Sequence, residues 1–299
     1  MKNLLNSLSA ENFQRVTQKA LDIFDRGECC PLKCGGGEVR PCGAVKEGIK
    51  VASFAVHDGE EPPVSGWNGA GNIFFSGCSV KCIFCQNWPI SHGNNGKVYS
   101  LEEFQKRVLN LMKKGVHNIN LVTPDHYLGR TLKSLAGIRE EVNVPLVFNS
   151  SGAHTKELFE VALEVSDIFL LDVKYSDDSL SAEVSGIKEY VKYNTICLDM
   201  LLENEIKWVE NSLGILQKGL IIRHLVLPGH IENSIQVIEK LLEYRKKGLN
   251  FKLSLMSQYF PAFKAVNHAE IGRRLTKKEY SKVVELVEKN KIDGWIQPL

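Results

Sequence analysis

Seven of the eight cysteines lie within the first 85 residues of a 299-residue chain. They fall into two groups. Cys78, Cys82 and Cys85 are spaced C-x3-C-x2-C, and Cys29, Cys30, Cys34 and Cys42 crowd a stretch that includes Gly35, Gly36 and Gly37. Thiolates are soft ligands, so such groups point to metal, iron–sulfur or redox chemistry. Three thiolates on one loop suit three irons of a [4Fe–4S] cluster, with the fourth iron left open for a substrate or cofactor. A structural zinc site wants four closed ligands, so the loop would have to borrow one. Three core cysteines without metal are the third reading. The four N-terminal cysteines can close a second site, holding zinc or an additional iron–sulfur cluster, or can stay free thiols or a reversible disulfide. Cys197 stands alone in an apolar helical stretch and reads as a buried structural cysteine.

The rest of the composition narrows the setting. The N-terminus has no apolar run long enough for a signal peptide. No window approaches the roughly 18 apolar residues of a membrane span. The chain therefore reads as cytoplasmic, where thiols stay reduced and disulfides are rare. With 43% hydrophobic and 24% charged residues the composition excludes disorder and low complexity. The 37 basic and 35 acidic residues leave a net charge of +2, which gives no electrostatic footprint for nucleic acid.

An α/β alternation must position these cysteines. Apolar spacing predicts a helix over 10–26, followed by the cysteine-rich loop 28–43, a strand over 49–56 and a turn-rich stretch over 58–70. Asn72 to Gly77 reads as a strand entering the C-x3-C-x2-C loop. Helices are predicted over 101–114, 127–141, 154–165, 233–246 and 276–289, the first capped by Ser100 with Glu103. Strands are predicted over 119–122, 146–148, 168–173, 220–227 and 251–256, with a short extended piece at 294–297. Residues 178–216 read as mostly helical. Continuous apolar strands alternating with amphipathic helices imply a parallel sheet buried on both faces. The expected fold is an α/β partial (β/α)6 barrel of parallel strands with a cysteine-rich N-terminal extension. Residues 1–70 form that extension and residues 71–299 the barrel. The eight units of a closed barrel are not present.

In parallel α/β folds ligands bind at the C-terminal ends of the strands. Here those ends carry Gly77 and Cys78, Thr123, Asp125 and His126, Asn149 and Ser150, Asp172 and Lys174, Arg223 and His224, and Ser257, Gln258 and Tyr259. Thr123 and Ser150 also suit helix caps. Six polar ends on six apolar strands are harder to explain as caps alone. A non-catalytic zinc or iron–sulfur module, for electron transfer or interaction, would explain the cysteines but not these ends.

The cysteine loop, with Phe84 before its last cysteine, resembles the signature of the radical S-adenosylmethionine (SAM) superfamily. The stretches IFFSGCSVKCIFCQNWPIS, LVTPDHY, PLVFNSSG, LLDVKYSDD, IIRHLVLPG and LMSQYFP are similar to the pyruvate formate-lyase activating-enzyme-like family, from about residue 28 to the C-terminus. The resemblance implies a [4Fe–4S] cluster on Cys78, Cys82 and Cys85 and SAM bound at its open iron. The cluster would cleave SAM reductively to a 5′-deoxyadenosyl radical that abstracts hydrogen from a substrate in the barrel. It implies an electron donor such as flavodoxin or ferredoxin, and a small molecule, a peptide or a glycyl-radical protein as substrate.

Phe84 would lie near the adenine; core packing is the alternative. Asn149, Ser150, Asp172 and Lys174 match positions that surround the SAM ribose and methionine, although Asp172 and Lys174 also suit a rim salt bridge. Arg223 could neutralise a carboxylate through its planar fork. Thr123-Pro124-Asp125-His126 stands where the superfamily usually has Gly-Gly-Glu, which makes Thr123 and Asp125 the candidates for the SAM ammonium. His126, His224 and His230 are substrate-binding candidates, with a structural role as the alternative. The family's N-terminal C-x2-C-P-x2-C segment is matched by Cys30-Pro31-Leu32-Lys33-Cys34 and by Cys42-Gly43. Its first cysteine falls on Gly27, and Cys29 stands out of register.

Overall fold

A computed structural model describes residues 3–38 and 40–299. Two helices open the chain, α1 (Leu4–Ser7) and α2 (Ala10–Asp25), then strand β1 (Ile49–His57) and helix α3 (Pro62–Ser65). Strand β2 (Ala70–Phe75) leads through the cysteine loop to α4 (Trp88–Ser91), β3 (Lys97–Tyr99) and α5 (Leu101–Met112). There follow β4 (Ile119–Val122), α6 (Leu128–Leu135), β5 (Leu146–Ser150), α7 (Lys156–Val165) and β6 (Ile168–Asp172). Next come α8 (Asp178–Ser185), α9 (Tyr190–Glu203), β7 (Val209–Glu210) and β8 (Leu216–Leu225). The chain ends with α10 (Ile231–Lys246), β9 (Lys252–Met256), α11 (Lys277–Lys289) and β10 (Gly294–Ile296).

The sheet runs β10-β9-β8-β6-β5-β4-β2-β1-β3, with β7 paired to β8. From β2 to β10 every neighbour along that path is parallel. β1 turns back antiparallel on β2, and β3 antiparallel on β1. The sheet does not close, because β10 and β3 are its two edges. This is the expected open α/β barrel, extended by one short parallel strand at the C-terminus.

Strand alternation sorts the side chains to two faces. Phe148, Phe169, Leu171 and Ile222 meet the helices in the main core. Val147, Ile168, Leu170 and Ile221 face the other way and pack with Val64, Ala70 and Leu216 inside the barrel. Phe148, Phe159 and Phe169 lock α7 to the sheet, with ring centroids 5.8–6.3 Å apart. Full burial stabilises each by about 1.5–3 kcal/mol. The Ser100–Glu103 capping box at the start of α5 forms as expected.

The 178–216 region differs from its helical expectation. Two helices occupy 178–203, but β7 then forms a hairpin with β8, pairing Val209 with Lys218. Pairing to β8 overrides local pattern there. Among the described residues no helix is long and apolar enough to cross a membrane.

Candidate active site

The cysteine loop leaves β2 at its C-terminal end, where Gly77 adopts φ +84°. A Cβ at Gly77 would lie 2.0 Å from the Cys42 carbonyl oxygen, so no side chain fits there. The same carbonyl accepts the Cys78 N–H at 2.9 Å. From the other side, the C-terminal end of α8 holds the loop. Lys81 N–H donates to the Ser185 carbonyl and Ile83 N–H to that of Val184. Cys82 is clamped again through its carbonyl, 2.9 Å from His92 Nε2.

Each of the three sulfurs receives a donor. Ser185 Oγ donates to Cys82 Sγ at 2.9 Å, Ser91 Oγ to Cys85 Sγ at 3.1 Å, and Val80 N–H to Cys78 Sγ at 3.4 Å. That is the pattern around sulfurs that carry negative charge when a metal is bound. Burial pushes the Cys78 thiol well above its usual range and also raises Cys82. Without a metal these groups stay neutral.

The three cysteines line a cavity of about 290 Å³ at the C-terminal ends of the strands. Phe84, Thr123, Asn149, Ser150, Asp172, Lys174 and Arg223 line the same cavity, so seven of the eight predicted cofactor-site residues meet there. Phe84 also packs on Tyr259, ring centroids 5.9 Å apart. Lys174 lies 2.5 Å from Asp172. Burial works against the Lys174 charge, but Asp172 outweighs it and raises its pKa. Ser150 and Ser151 are 3% and 7% exposed, and their hydroxyls have no partner in the protein. Three donor-supplied sulfurs in a cavity walled by polar strand ends fit a polar ligand held against a cluster.

Asp125 is set apart. It lines a smaller cavity of about 20 Å³ together with Cys29, Cys30, Cys34, Cys42, Ser79 and His126. Thr123 takes φ +57°, and beyond it the chain carries Asp125 to that side. Asp125 accepts a hydrogen bond from Ser79 Oγ at 3.2 Å, and its second oxygen lies 3.5 Å from His154 Nδ1. The four N-terminal cysteines thus do share one space, of a size for about one water. Burial raises the thiols of Cys29 and Cys42 and lifts Cys30 to about 12. Among the described residues no three His, Cys, Asp or Glu side chains converge on one metal ion.

The histidines have local partners. His126 Nε2 lies 2.8 Å from the Ser76 carbonyl, and His230 is 3.0 Å from Glu270. His224 bridges the Val173 carbonyl and Ser234 Oγ, at 2.7 and 2.9 Å. Cys197 is fully buried in the main core.

Two residues absent from the sequence reading stand at the centre of the barrel. Glu61 accepts from Arg223 Nε at 2.8 Å and from Nη2 at 2.5 Å, and Glu60 also accepts from Nη2 at 2.5 Å. Burial disfavours the Glu61 anion, but Arg223 outweighs it and its pKa falls below the usual range. The Arg223 fork is therefore filled by the chain's own carboxylates. The one signal in the sequence was an acidic pair ahead of Pro62-Pro63 in a turn-rich stretch.

Residues 72–242 match the Radical SAM superfamily. An uncharacterized protein of Methanocaldococcus jannaschii is 31% identical over 286 residues, covering 92% of this chain and 78% of that protein. Among solved structures, Streptococcus suis SuiB bound to S-adenosylmethionine aligns with a TM-score of 0.47 and 11% identity, over 74% of this chain and 48% of SuiB. This chain spans about half the length of SuiB. Methylornithine synthase (PylB) aligns with a TM-score of 0.45 and 13% identity, over 97% of this chain and 72% of PylB.

Proposed function

The chain belongs to the radical SAM superfamily, and we propose that it is a hydrogen-abstracting enzyme whose [4Fe–4S] cluster is held by Cys78, Cys82 and Cys85. The superfamily's cofactors are that cluster and SAM. When bound they supply reductive cleavage of the SAM sulfur–C5′ bond and a 5′-deoxyadenosyl radical that takes a hydrogen atom from the substrate. The residues of this chain do the rest. The three cysteine sulfurs, each supplied with one hydrogen-bond donor, hold the cluster at the ends of the strands. Phe84 offers an apolar face for the adenine. Asn149, Ser150, Asp172 and Lys174 supply polar contacts to the ribose and methionine, and Thr123 stands beside them.

In this reading residues 71–299 carry the catalytic barrel and residues 1–70 brace the cysteine loop. An electron donor such as flavodoxin or ferredoxin reduces the cluster, and the substrate is a small molecule, a peptide or a glycyl-radical partner protein. The supporting observation is the cavity in which the three cysteines meet seven of the predicted strand-end and loop residues.

Anaerobic reconstitution with iron and sulfide tests it. The wild-type protein should hold about four irons per chain and release 5′-deoxyadenosine from SAM and dithionite. Cys82→Ala should lose both. If the wild type forms no 5′-deoxyadenosine and Cys82→Ala changes neither iron nor product, the proposal fails.

A further inference from the structure

The cysteine loop also carries exposed aromatic side chains. Trp88, three residues beyond Cys85, is 43% exposed and stacks on Phe263, ring centroids 5.3 Å apart. The His92 ring packs on Phe263 as well, at 4.5 Å. Phe260 and Val266 flank Phe263 in the chain and are 39% and 54% exposed. Scattered apolar side chains on a surface need no explanation, but a group of them marks a place of contact. Phe263 also takes φ +52°, a left-handed backbone that bulky residues rarely adopt. Ala265 ties that turn to the loop, its N–H donating to the Ile83 carbonyl at 3.0 Å.

Short links join this patch to the cysteines. Trp88 N–H donates to the Cys85 carbonyl at 3.2 Å. Ser91, in the same short helix, donates to Cys85 Sγ at 3.1 Å. His92 Nε2 lies 2.9 Å from the Cys82 carbonyl. None of Trp88, Phe260, Phe263 and Val266 lines the cofactor cavity, so a molecule seated on them need not displace a ligand held there. With SAM in that cavity, an electron bound for the cluster has to arrive through the protein. The patch offers it a path to Cys85 through one hydrogen bond.

The charge beside the aromatic stack is positive. Lys264 is exposed, its Nζ 5.5 Å from the centre of the Phe263 ring. Lys81 Nζ donates to the Ser91 carbonyl at 3.0 Å. Among the described residues neither lysine pairs with a carboxylate, as Lys19, Lys97, Lys174, Lys192 and Lys252 do. Burial, with Lys81 and Lys264, holds His92 below its usual pKa, and no carboxylate opposes them. Two acids beside the residues that follow, Glu183 and Glu270, are turned to His268 and His230, at 3.2 and 3.0 Å.

We propose that Trp88, Phe263 and Lys264 form the docking surface for an acidic one-electron carrier protein. The assignment rests on the radical SAM reading of the cavity. One electron passes from the carrier's reduced cofactor to the oxidised cluster, and no atom or proton moves with it. An apolar centre beside charged groups suits a transient interface. Opposite charge on the carrier speeds the encounter and fixes its orientation.

The test uses the reconstituted protein with SAM and, as probe, a reduced bacterial flavodoxin of acidic surface. Formation of 5′-deoxyadenosine is followed with flavodoxin and, separately, with dithionite. The flavodoxin-driven kcat/KM of the wild type should fall about tenfold between low and high salt. Lys264→Glu should lose about tenfold at low salt, and Trp88→Ala should raise the KM for flavodoxin. Lys246→Glu is the control, since Lys246 ends α10 at the side of the sheet where β9 begins. It should match the wild type, and all three variants should keep the dithionite-driven rate. Equal kcat/KM for Lys264→Glu and Lys246→Glu overturns the proposal. So does a wild type that dithionite reduces and flavodoxin does not. A loss in Lys264→Glu that dithionite shares overturns it too, because the face would then serve substrate or folding. A wild type that forms no 5′-deoxyadenosine even with dithionite refutes the cofactor reading beneath it.

Discussion

Replacing Gly77 by alanine separates a merely destabilising change from one that dismantles the cysteine loop. Gly77 has φ +84°, and a Cβ would stand 2.0 Å from the Cys42 carbonyl oxygen. That carbonyl also accepts the Cys78 N–H at 2.9 Å, so moving it away breaks the bond that seats the first cysteine. The left-handed backbone costs a non-glycine residue roughly 1–2 kcal/mol. The lost buried hydrogen bond adds about 1–3 kcal/mol. A total of about 3 kcal/mol lowers the melting temperature of a large domain by roughly 6–12 °C. Gly214→Ala is the control, since Gly214 has φ +75° and nothing within 4 Å of the position a Cβ would take. It should cost only the backbone share, roughly 1–2 kcal/mol. Thermal unfolding and iron content after reconstitution are measured for both. Gly77→Ala should lose clearly more stability than Gly214→Ala and most of its iron, while Gly214→Ala keeps a full complement. Equal losses of stability, or full iron in Gly77→Ala, would refute the argument.

Two further predictions follow from single contacts. Ser185→Ala removes the donor 2.9 Å from Cys82 Sγ, which favours the electron-rich reduced cluster. The midpoint potential should fall by a few tens of millivolts, about 59 mV corresponding to about 1.4 kcal/mol for one electron; a redox titration followed by electron paramagnetic resonance that shows no fall would remove that role. Burial holds His224 down to about 4 from its usual 6.5, so the unfolded chain binds its proton more readily than the folded one. Its contribution to stability is intact above pH 6.5 and is lost as the pH falls toward 4, by roughly 3 kcal/mol in all. Asp167 opposes this, because burial lifts it from 3.8 to about 6 and the folded state then gains a proton on acidification. His224→Gln should therefore flatten the acid limb of a melting-temperature profile. An unchanged limb would show that His224 carries no such coupling.

Much of this architecture was legible because buried parallel strands are written as apolar runs. Ile119–Val122, Leu146–Ser150 and Ile168–Asp172 appear in the sequence nearly as they appear in the sheet. The polar residues that end them appear with them, which is why Asn149, Ser150, Asp172, Lys174 and Arg223 could be named together. What was not legible depends on distant partners. Glu60 and Glu61 are buried acids only because Arg223, more than 160 residues away, reaches them. Residues 204–216 carry apolar side chains at spacings compatible with a helix, and only the presence of β8 makes Val209 and Glu210 a strand. For Asp125, the positive φ of Thr123 decides which cavity it enters, and no property of Asp125 itself signals that turn.

The two cysteine groups, separate in sequence, meet through the backbone and not through sulfur. The Cys42 carbonyl accepts the Cys78 N–H, and the lack of a side chain at Gly77 is what lets the two segments touch. One residue further on, Ser79 Oγ reaches Asp125, which lines the cavity of Cys29, Cys30, Cys34 and Cys42. The N-terminal segment therefore fixes the direction in which the cysteine loop leaves β2, and Asp125, at the edge of the same small cavity, fixes the position of the loop's second residue. These bonds bear on the loop whether or not the four N-terminal thiols ever hold a ligand. A change in that small cavity, through oxidation, metal binding or mutation, would reach Cys78 by way of one carbonyl and one hydroxyl. Coupling of this kind needs no sulfur-to-sulfur contact, only a loop whose seat is built by the neighbouring segment.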